Sequence, residues 1–402
     1  MRTGGEALIR NLQRDELLES IELSQYAFRY SLTPEEVEKR LSNTDPMTIY
    51  GAFDQEQRLL AKYHLLPFDA YFSGKAVKMG GLAGVATWPE NRRTGLVRKL
   101  LMHALQTMNQ SGIYLSMLHP FSVSFYRGFG WELTCDYKTY NIHKKQFPPF
   151  ERVEGKVVRH GSEDWVTLKP IYEKFAARYN GTLKRTEVWW KNNILNKKQI
   201  AVYKNSRSQA LGYIVYSIKE DEMEIKEFVF LDKEGFTGLW NFIGNHDSMI
   251  ENVNIVVPPD DEMGYFLGDP KIHQEQRSYF MGRIVNVLEA LKDYPFTCKS
   301  NVTLFLHVND PVAEWNAGSY SISFQKGEKS INFFPAKTGN SSCTVTPQRG
   351  ISLNIQELSA ILFNYKTPDQ LHRFGRISGK DEDIKLLQSI LPAGTPFIYD
   401  FF

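Results

Sequence analysis

The chain has 402 residues, 42% of them hydrophobic and 23% charged, with a formal net charge of +2. That length allows two or three domains, and the composition excludes an unfolded chain. Lys and Arg are interspersed with Asp and Glu, which excludes recruitment of nucleic acid by a global basic field. No apolar run reaches membrane-spanning length, and the opening MRTGGEALIRNL lacks the apolar core of a signal peptide. The expectation is a cytoplasmic protein without membrane insertion. Cys135, Cys298 and Cys343 are odd in number and far apart, which suits a reducing compartment and gives no redox or zinc motif. The sequons at Asn180, Asn301 and Asn340 read as chance matches.

In chain order, residues 8–12 read as an opening strand and residues 15–29 carry helical spacing. Thr33 precedes Pro34, Glu35 and Glu36, which predicts a second helix with Thr33 as N-cap and Glu36 closing a capping box. Residues 47–54 and 59–72 read as a hairpin pair. Residues 75–87 are the next strand, with glycines at 80, 81 and 84 that signal a bulge or the close approach of another chain or ligand. Leu96, Val97, Leu100, Leu101, Ala104, Leu105 and Met108 then form one apolar helical face, and Gly112 marks its stop. Residues 113–118 are another strand, and SVSFYRGFGWEL gives a short helix ending at Gly128 or Gly130.

The loop ATWPENRRTG joins strand to helix and carries the strongest chemistry. The first turn of a helix leaves backbone N–H groups unpaired and carries partial positive charge, so this junction is an anion cradle. Gly95 lets backbone approach a phosphate, and Arg92 and Arg93 add charges that can fork onto pyrophosphate oxygens. Cations at a helix N-terminus oppose the macrodipole, and a bound anion explains their placement better than a merely solvated helix start. Neither a Walker loop nor a GxGxxG fingerprint is present.

Arg92-Arg93-Thr94-Gly95-Leu96-Val97 resembles the [RQ]xxGx[GA] acetyl-coenzyme A loop of the GNAT acyltransferase superfamily. Val97 departs from the usual small residue, and this departure, followed by Arg98, resembles the enhanced intracellular survival (Eis) family of bacterial acetyltransferases. The segment HPFSVSFYRGFGWEL, the chain length and the ending YDFF fit the same family. The resemblance implies an α/β and α+β chain of two tandem GNAT-type domains followed by a sterol-carrier-protein-like α+β domain. The expected boundaries are 1–148, 149–283 and 284–402. It implies that Gly84, Val85 and Ala86 pair with the pantetheine arm, and that Arg92, Arg93, Gly95, Leu96 and Val97 hold the pyrophosphate. It gives Tyr126 as the general acid for the departing thiolate, and a neutral phenol suits that role. The terminal carboxylate of Phe402 is implied to reach the active site. The aromatic TPFIYDFF suits a docked tail, and Asp400 is placed beside substrate as a group that would raise the carboxyl's pKa.

His119 ends a strand and reads either as acceptor-pocket lining or as a structural residue. His64 and His103 read as structural. No HExxH or carboxylate–histidine cluster points to a metal.

Residues 222–232 and the helix after them repeat the strand–loop–helix order, with Asp232, Lys233, Glu234 and Gly235 where the first copy has arginines. Carboxylates there would repel a pyrophosphate, so this copy reads as degenerate. The last third carries short strands, one of them at 342–347, followed by helices. The expected activity is an acetyl-coenzyme A-dependent N-acetyltransferase acting on amines of an aminoglycoside-like polycationic small molecule, in a homo-oligomer that the resemblance makes a hexamer. The alternatives are a protein-lysine or cell-wall amine acyltransferase, or a lipid- or partner-binding protein with a vestigial acyltransferase core.

Overall fold

In the computed structural model, described for residues 7–161, 164–336 and 349–402, the first unit opens with β1 (Leu8–Asn11). Two helices follow, α1 (Leu17–Phe28) and α2 (Pro34–Asn43). α2 begins at the expected capping box: Thr33 Oγ1 accepts from the Glu36 N–H at 3.3 Å, and the Glu36 carboxylate accepts from the Thr33 N–H at 3.0 Å. β2 (Ile49–Phe53), β3 (Leu59–Phe72) and β4 (Lys75–Thr87) form an antiparallel meander. α3 (Leu96–Gln110) then crosses to β5 (Leu115–Leu118), which runs parallel to β4. The predicted face of α3 is the one it buries, from Leu96 to Met108, although Val97 is only partly covered. α4 (Val123–Arg127) and β6 (Glu132–Leu133) follow.

β7 (Asp136–His143) leaves this sheet and pairs with two strands of the next unit. That unit continues with β8 (Lys156–His160), α5 (Trp165–Ala176), β9 (Tyr179–Asn180) and α6 (Glu187–Trp189). β10 (Gln199–Lys204), β11 (Ala210–Lys219), β12 (Glu222–Phe230), α7 (Lys233–Gly244), β13 (Asn252–Val257) and β14 (His273–Ser278) complete it. β15 (Met281–Ile284) returns to the first sheet between β5 and β6. The sheet orders are β1-β2-β3-β4-β5-β15-β6 and β14-β7-β13-β12-β11-β10-β8. The sheets are interleaved across the expected boundaries. Pro148 and Pro149 interrupt the chain between two strands of the same sheet, and β15, expected to close the second domain, completes the first sheet.

The third unit comprises α8 (Val287–Asp293), β16 (Val302–Asn309), β17 (Gly318–Gln325), β18 (Glu328–Pro335), β19 (Ile351–Asn354) and three helices. Those helices are α9 (Ile355–Leu362), α10 (Pro368–Arg373) and α11 (Asp381–Ile390). β20 (Thr395–Pro396) runs parallel to β9, tying the tail to the second unit. The strand expected at 342–347, Cys343 and the sequon at Asn340 lie outside the described residues. One continuous core joins Phe72, Met79 and Met117 of the first sheet to Leu306, Leu358 and Ile361 of the third unit. Within it, Arg283 of β15 is fully buried and paired with Asp310 at 2.7 Å. The third unit is thus built onto the first sheet.

Candidate active site

β4 and β5 pair only at Met79–Gly81 with Leu115–Met117, so beyond Gly81 the two strands part. On its other edge β4 bulges: Ala83 faces His64 and Ala86 faces Lys62, leaving Gly84 and Val85 opposite the single residue Tyr63. Gly84 takes φ +57°, and a Cβ there would lie 2.9 Å from the His64 ring, so both conformation and space require glycine. The backbone at Gly84, Val85 and Ala86 therefore borders a wedge between strands.

The wedge opens at the α3 N-terminus. Gly95 takes φ +87° as N-cap, and no side chain caps the helix. Arg92, Arg93 and Gly95 are exposed, Leu96 is buried beneath them and Val97 is half-buried. Arg93 itself takes φ +62°. Among the described residues neither Arg92 nor Arg93 has an ionic partner, while Arg98 lies 6.0 Å from the Phe129 ring centroid. Two unpaired guanidiniums beside uncapped helical N–H groups suit a pyrophosphate.

The second unit repeats this frame, and the C-terminal tail fills it. β12 and β13 pair in parallel only over Glu222–Ile225, and the register of β11 on β12 slips between Val215 and Tyr216. In the resulting wedge the Tyr399 hydroxyl lies 3.3 Å from the Phe228 carbonyl oxygen and 3.5 Å from that of Val256. At the α7 N-terminus, Asp232 Oδ1 accepts from the Gly235 N–H at 2.8 Å. A cavity of about 420 Å³ beside it is walled by Phe230, Phe236 and Trp240, with Glu151, Asp261 and Glu262 at its edge. Carboxylates and rings thus stand where the first unit has arginines. A larger cavity of about 590 Å³ lies toward the other end of α3, by Thr107 and Ser111, and is separate from the cradle.

Tyr126 lies on α4, just past the end of β5. Its ring is buried among Phe121, Phe125 and Trp131, and burial pushes its phenol well above the ordinary value. Its hydroxyl has no protein partner among the described residues. Phe402 packs on Phe68 and Phe280, each at 4.9 Å between centroids, and a Cβ on Gly81 would touch its ring at 3.0 Å. Gly81 sits where β4 and β5 begin to part, so the tail ends at the floor of the wedge. His119 is exposed and meets the Phe401 ring at 5.0 Å, with Tyr279 and Phe280 on its flank. Desolvation by burial lowers its pKa.

Asp400 is the correction. It is 1% exposed, and Oδ1 accepts from Arg185 Nε at 2.9 Å and from Trp189 Nε1 at 2.7 Å. Arg185 also pairs with Glu227 and lies 3.9 Å above the Tyr172 ring. A carboxylate so enclosed anchors the tail and leaves nothing for substrate. Arg185, Glu227 and Tyr399 escape sequence reading, because Arg185 meets Glu227 42 positions away and Asp400 215 positions away, and Tyr399 meets Phe228 171 positions away.

No helix is long and apolar enough to cross a membrane, and no group of metal-ligating side chains occurs among the described residues. An acetyltransferase (GNAT) domain model matches residues 8–134, another acetyltransferase (GNAT) domain model matches 181–284, and a sterol carrier protein domain model matches 287–399. N-acetyltransferase Eis of Mycobacterium tuberculosis is 26% identical over 230 residues, covering 53% of this chain and 56% of that protein. The match thus spans little more than half of that relative. A probable N-acyltransferase from Enterococcus faecalis superposes with TM-score 0.88 at 26% identity, covering 99% of this chain and all of the other. Eis1 of Mycobacterium abscessus superposes with TM-score 0.78 at 19% identity, covering 98% of this chain and 100% of the other.

Proposed function

Because the chain belongs to the Eis family of GNAT acetyltransferases, we propose that its first unit transfers the acetyl group of acetyl-coenzyme A to an amine. The observation that carries this reading is the contrast between the two wedges. One is open beside free arginines, while the other is filled by Tyr399 and capped by Asp232.

Acetyl-coenzyme A, when bound, supplies an activated thioester. Arg92, Arg93 and the N–H groups at Leu96 and Val97 hold its pyrophosphate, and the backbone from Gly84 to Ala86 aligns its arm. Tyr126 keeps its proton at neutral pH, since burial raises its pKa, and donates it as the thiolate leaves. The carboxylate of Phe402, whose ring packs beside Gly81, attracts an acceptor ammonium. In this reading His119 lines the acceptor side. The acceptor is an aminoglycoside-like polycation, and the assembly is a cytoplasmic homo-oligomer, a hexamer; both rest on the resemblance to Eis.

The test is a panel of amines followed by thiol release, with aminoglycosides, lysine peptides and cell-wall amines as its arms. Aminoglycosides should turn over fastest. Arg92→Ala and Gly95→Asp should weaken acetyl-coenzyme A binding in calorimetry at least tenfold, by losing a charge-assisted contact or adding a carboxylate. Tyr126→Phe should bind it normally and turn over slowly. Unchanged affinity in both loop variants sinks the cofactor site.

A further inference from the structure

The second unit has no pair of free arginines at its helix start, yet a cavity lies beside that start. Lys233, Phe236, Thr237, Trp240 and Asn241 follow one another at i, i+3, i+4, i+7 and i+8, so one face of α7 borders the cavity of about 420 Å³. Phe230 comes from the end of β12, and Phe266 from the segment between β13 and β14. Phe236 joins these rings. It lies 5.2 Å from Phe230, 5.9 Å from Phe266 and 6.5 Å from Trp240, at interplanar angles of 62° to 65°. The rings meet edge to face rather than in a stack. Two further rings stay outside: Phe150 and Tyr265, next in sequence to lining residues, are 73% and 83% exposed. The volume is that of a small-molecule site.

The rim is acidic. Lys233 neutralises Glu151 at 3.1 Å, and Asn241 Nδ2 donates to the Glu151 carbonyl oxygen at 2.7 Å. Asp261 and Glu262 have no such cation. Asp261 Oδ1 accepts from the Met263 N–H at 2.8 Å, while Lys138 Nζ donates to the Asp261 carbonyl oxygen and not to its carboxylate. Among the described residues neither acid forms an ion pair. Two uncompensated negative charges therefore stand beside an apolar wall. The α7 N-terminus is itself met by acids, with Asp232 as N-cap and Glu234 in the first turn.

These features sort the classes of ligand. An anion meets carboxylates, and the Gly235 N–H it would need is taken by Asp232. A neutral apolar molecule matches the rings but not the charges. A cation with an apolar body matches both, because it is attracted to carboxylates and to ring faces alike.

We propose that this cavity binds a small organic cation. Its ammonium group lies at Asp261 and Glu262, and its apolar or aromatic body lies among Phe230, Phe236, Trp240 and Phe266. The repeated frame then serves ligands of opposite charge, one at the arginines before α3 and one at the carboxylates beside α7. The site goes beyond the acetyltransferase reading and stands whether or not the first unit acetylates amines.

The test uses the full chain labelled with nitrogen-15 at its tryptophan indoles. The probe is benzyltrimethylammonium, which has no N–H to be acetylated. The Trp240 signal is identified by its loss in Trp240→Phe. It should shift saturably with a Kd of about 1 mM or lower, the range open to a ligand of about eleven heavy atoms. Benzyl alcohol and phenylacetate keep the ring and change the charge, and each should bind at least tenfold more weakly. Asp261→Asn with Glu262→Gln keeps the Oδ1 acceptor for Met263, and should weaken the cation at least fivefold while leaving benzyl alcohol unchanged. Glu262→Gln alone, at an exposed residue, repeats that test should the pair disturb the loop. Phe266→Ala, also at an exposed residue, should weaken cation and alcohol alike. A Trp240 signal that stays still at about 20 mM probe overturns the site, as does binding that Phe266→Ala leaves unchanged. Equal affinity for cation and alcohol, or a cation affinity indifferent to the carboxylate substitutions, overturns the assignment of a cation.

Discussion

Arg185 shows what a single residue can hold together. Its side chain has no exposed surface, and a buried cation without partners is prohibitive. Glu227 neutralises it from β12 and Asp400 from the tail, while the Tyr213 hydroxyl donates to Glu227 at 2.8 Å. The tail is therefore clamped one residue before Phe401 and Phe402 turn to the first sheet. Arg185→Met leaves two buried carboxylates unpaired and should cost about 3–5 kcal/mol. Asp400→Asn, which keeps the Glu227 pair, should cost about 1–3 kcal/mol. Both should lower kcat with acetyl-coenzyme A affinity unchanged, and an Arg185→Met urea midpoint equal to wild type would sink the clamp. At this scale the sequence was legible where chemistry is local. Arg92, Arg93 and Gly95 lie in one loop, so the uncapped helix start with its exposed arginines was readable from the chain. Asp400 was misread because an acid between aromatic residues looks like pocket lining until its partner, 215 positions away, is known.

At the scale of elements, α3 and α7 share a frame and differ at their first turns. α3 begins at an uncapped glycine, and α7 begins under its own aspartate. Asp232→Ala should lose about 1 kcal/mol of stability, the ordinary worth of an N-cap. It should not create a second cofactor site, because Tyr399 still occupies the wedge. Calorimetry should give one acetyl-coenzyme A per chain in wild type and variant alike, and two per chain would refute the account of the second unit. Elements with caps and long periodicity were readable in advance, among them α2 with Thr33 and α3 with its apolar face. β15 was not, because four residues carry too little pattern to say which sheet they join.

At the scale of the molecule, the exchange of β7 and β15 decides what can stand alone. Among the described residues β6 pairs with no strand but β15, and β7 pairs with no strands but β13 and β14. A fragment of residues 1–148 keeps β6 and β7 but loses every partner of both. It also loses the third unit that covers Phe72 and Met79. It should aggregate, or melt without a cooperative transition, and show no thermal shift with acetyl-coenzyme A. A soluble, cooperatively folded fragment that binds it would show that the units are separable.

The same exchange sets a timetable during synthesis. At about 5–20 residues per second, roughly ten to thirty seconds separate the making of β5 from the making of β15. Until then the nascent chain carries β5 with a bare edge, able to recruit a strand from any neighbouring polypeptide. The exposure of that edge ends when Met281–Ile284, a strand of four residues, arrives to close it.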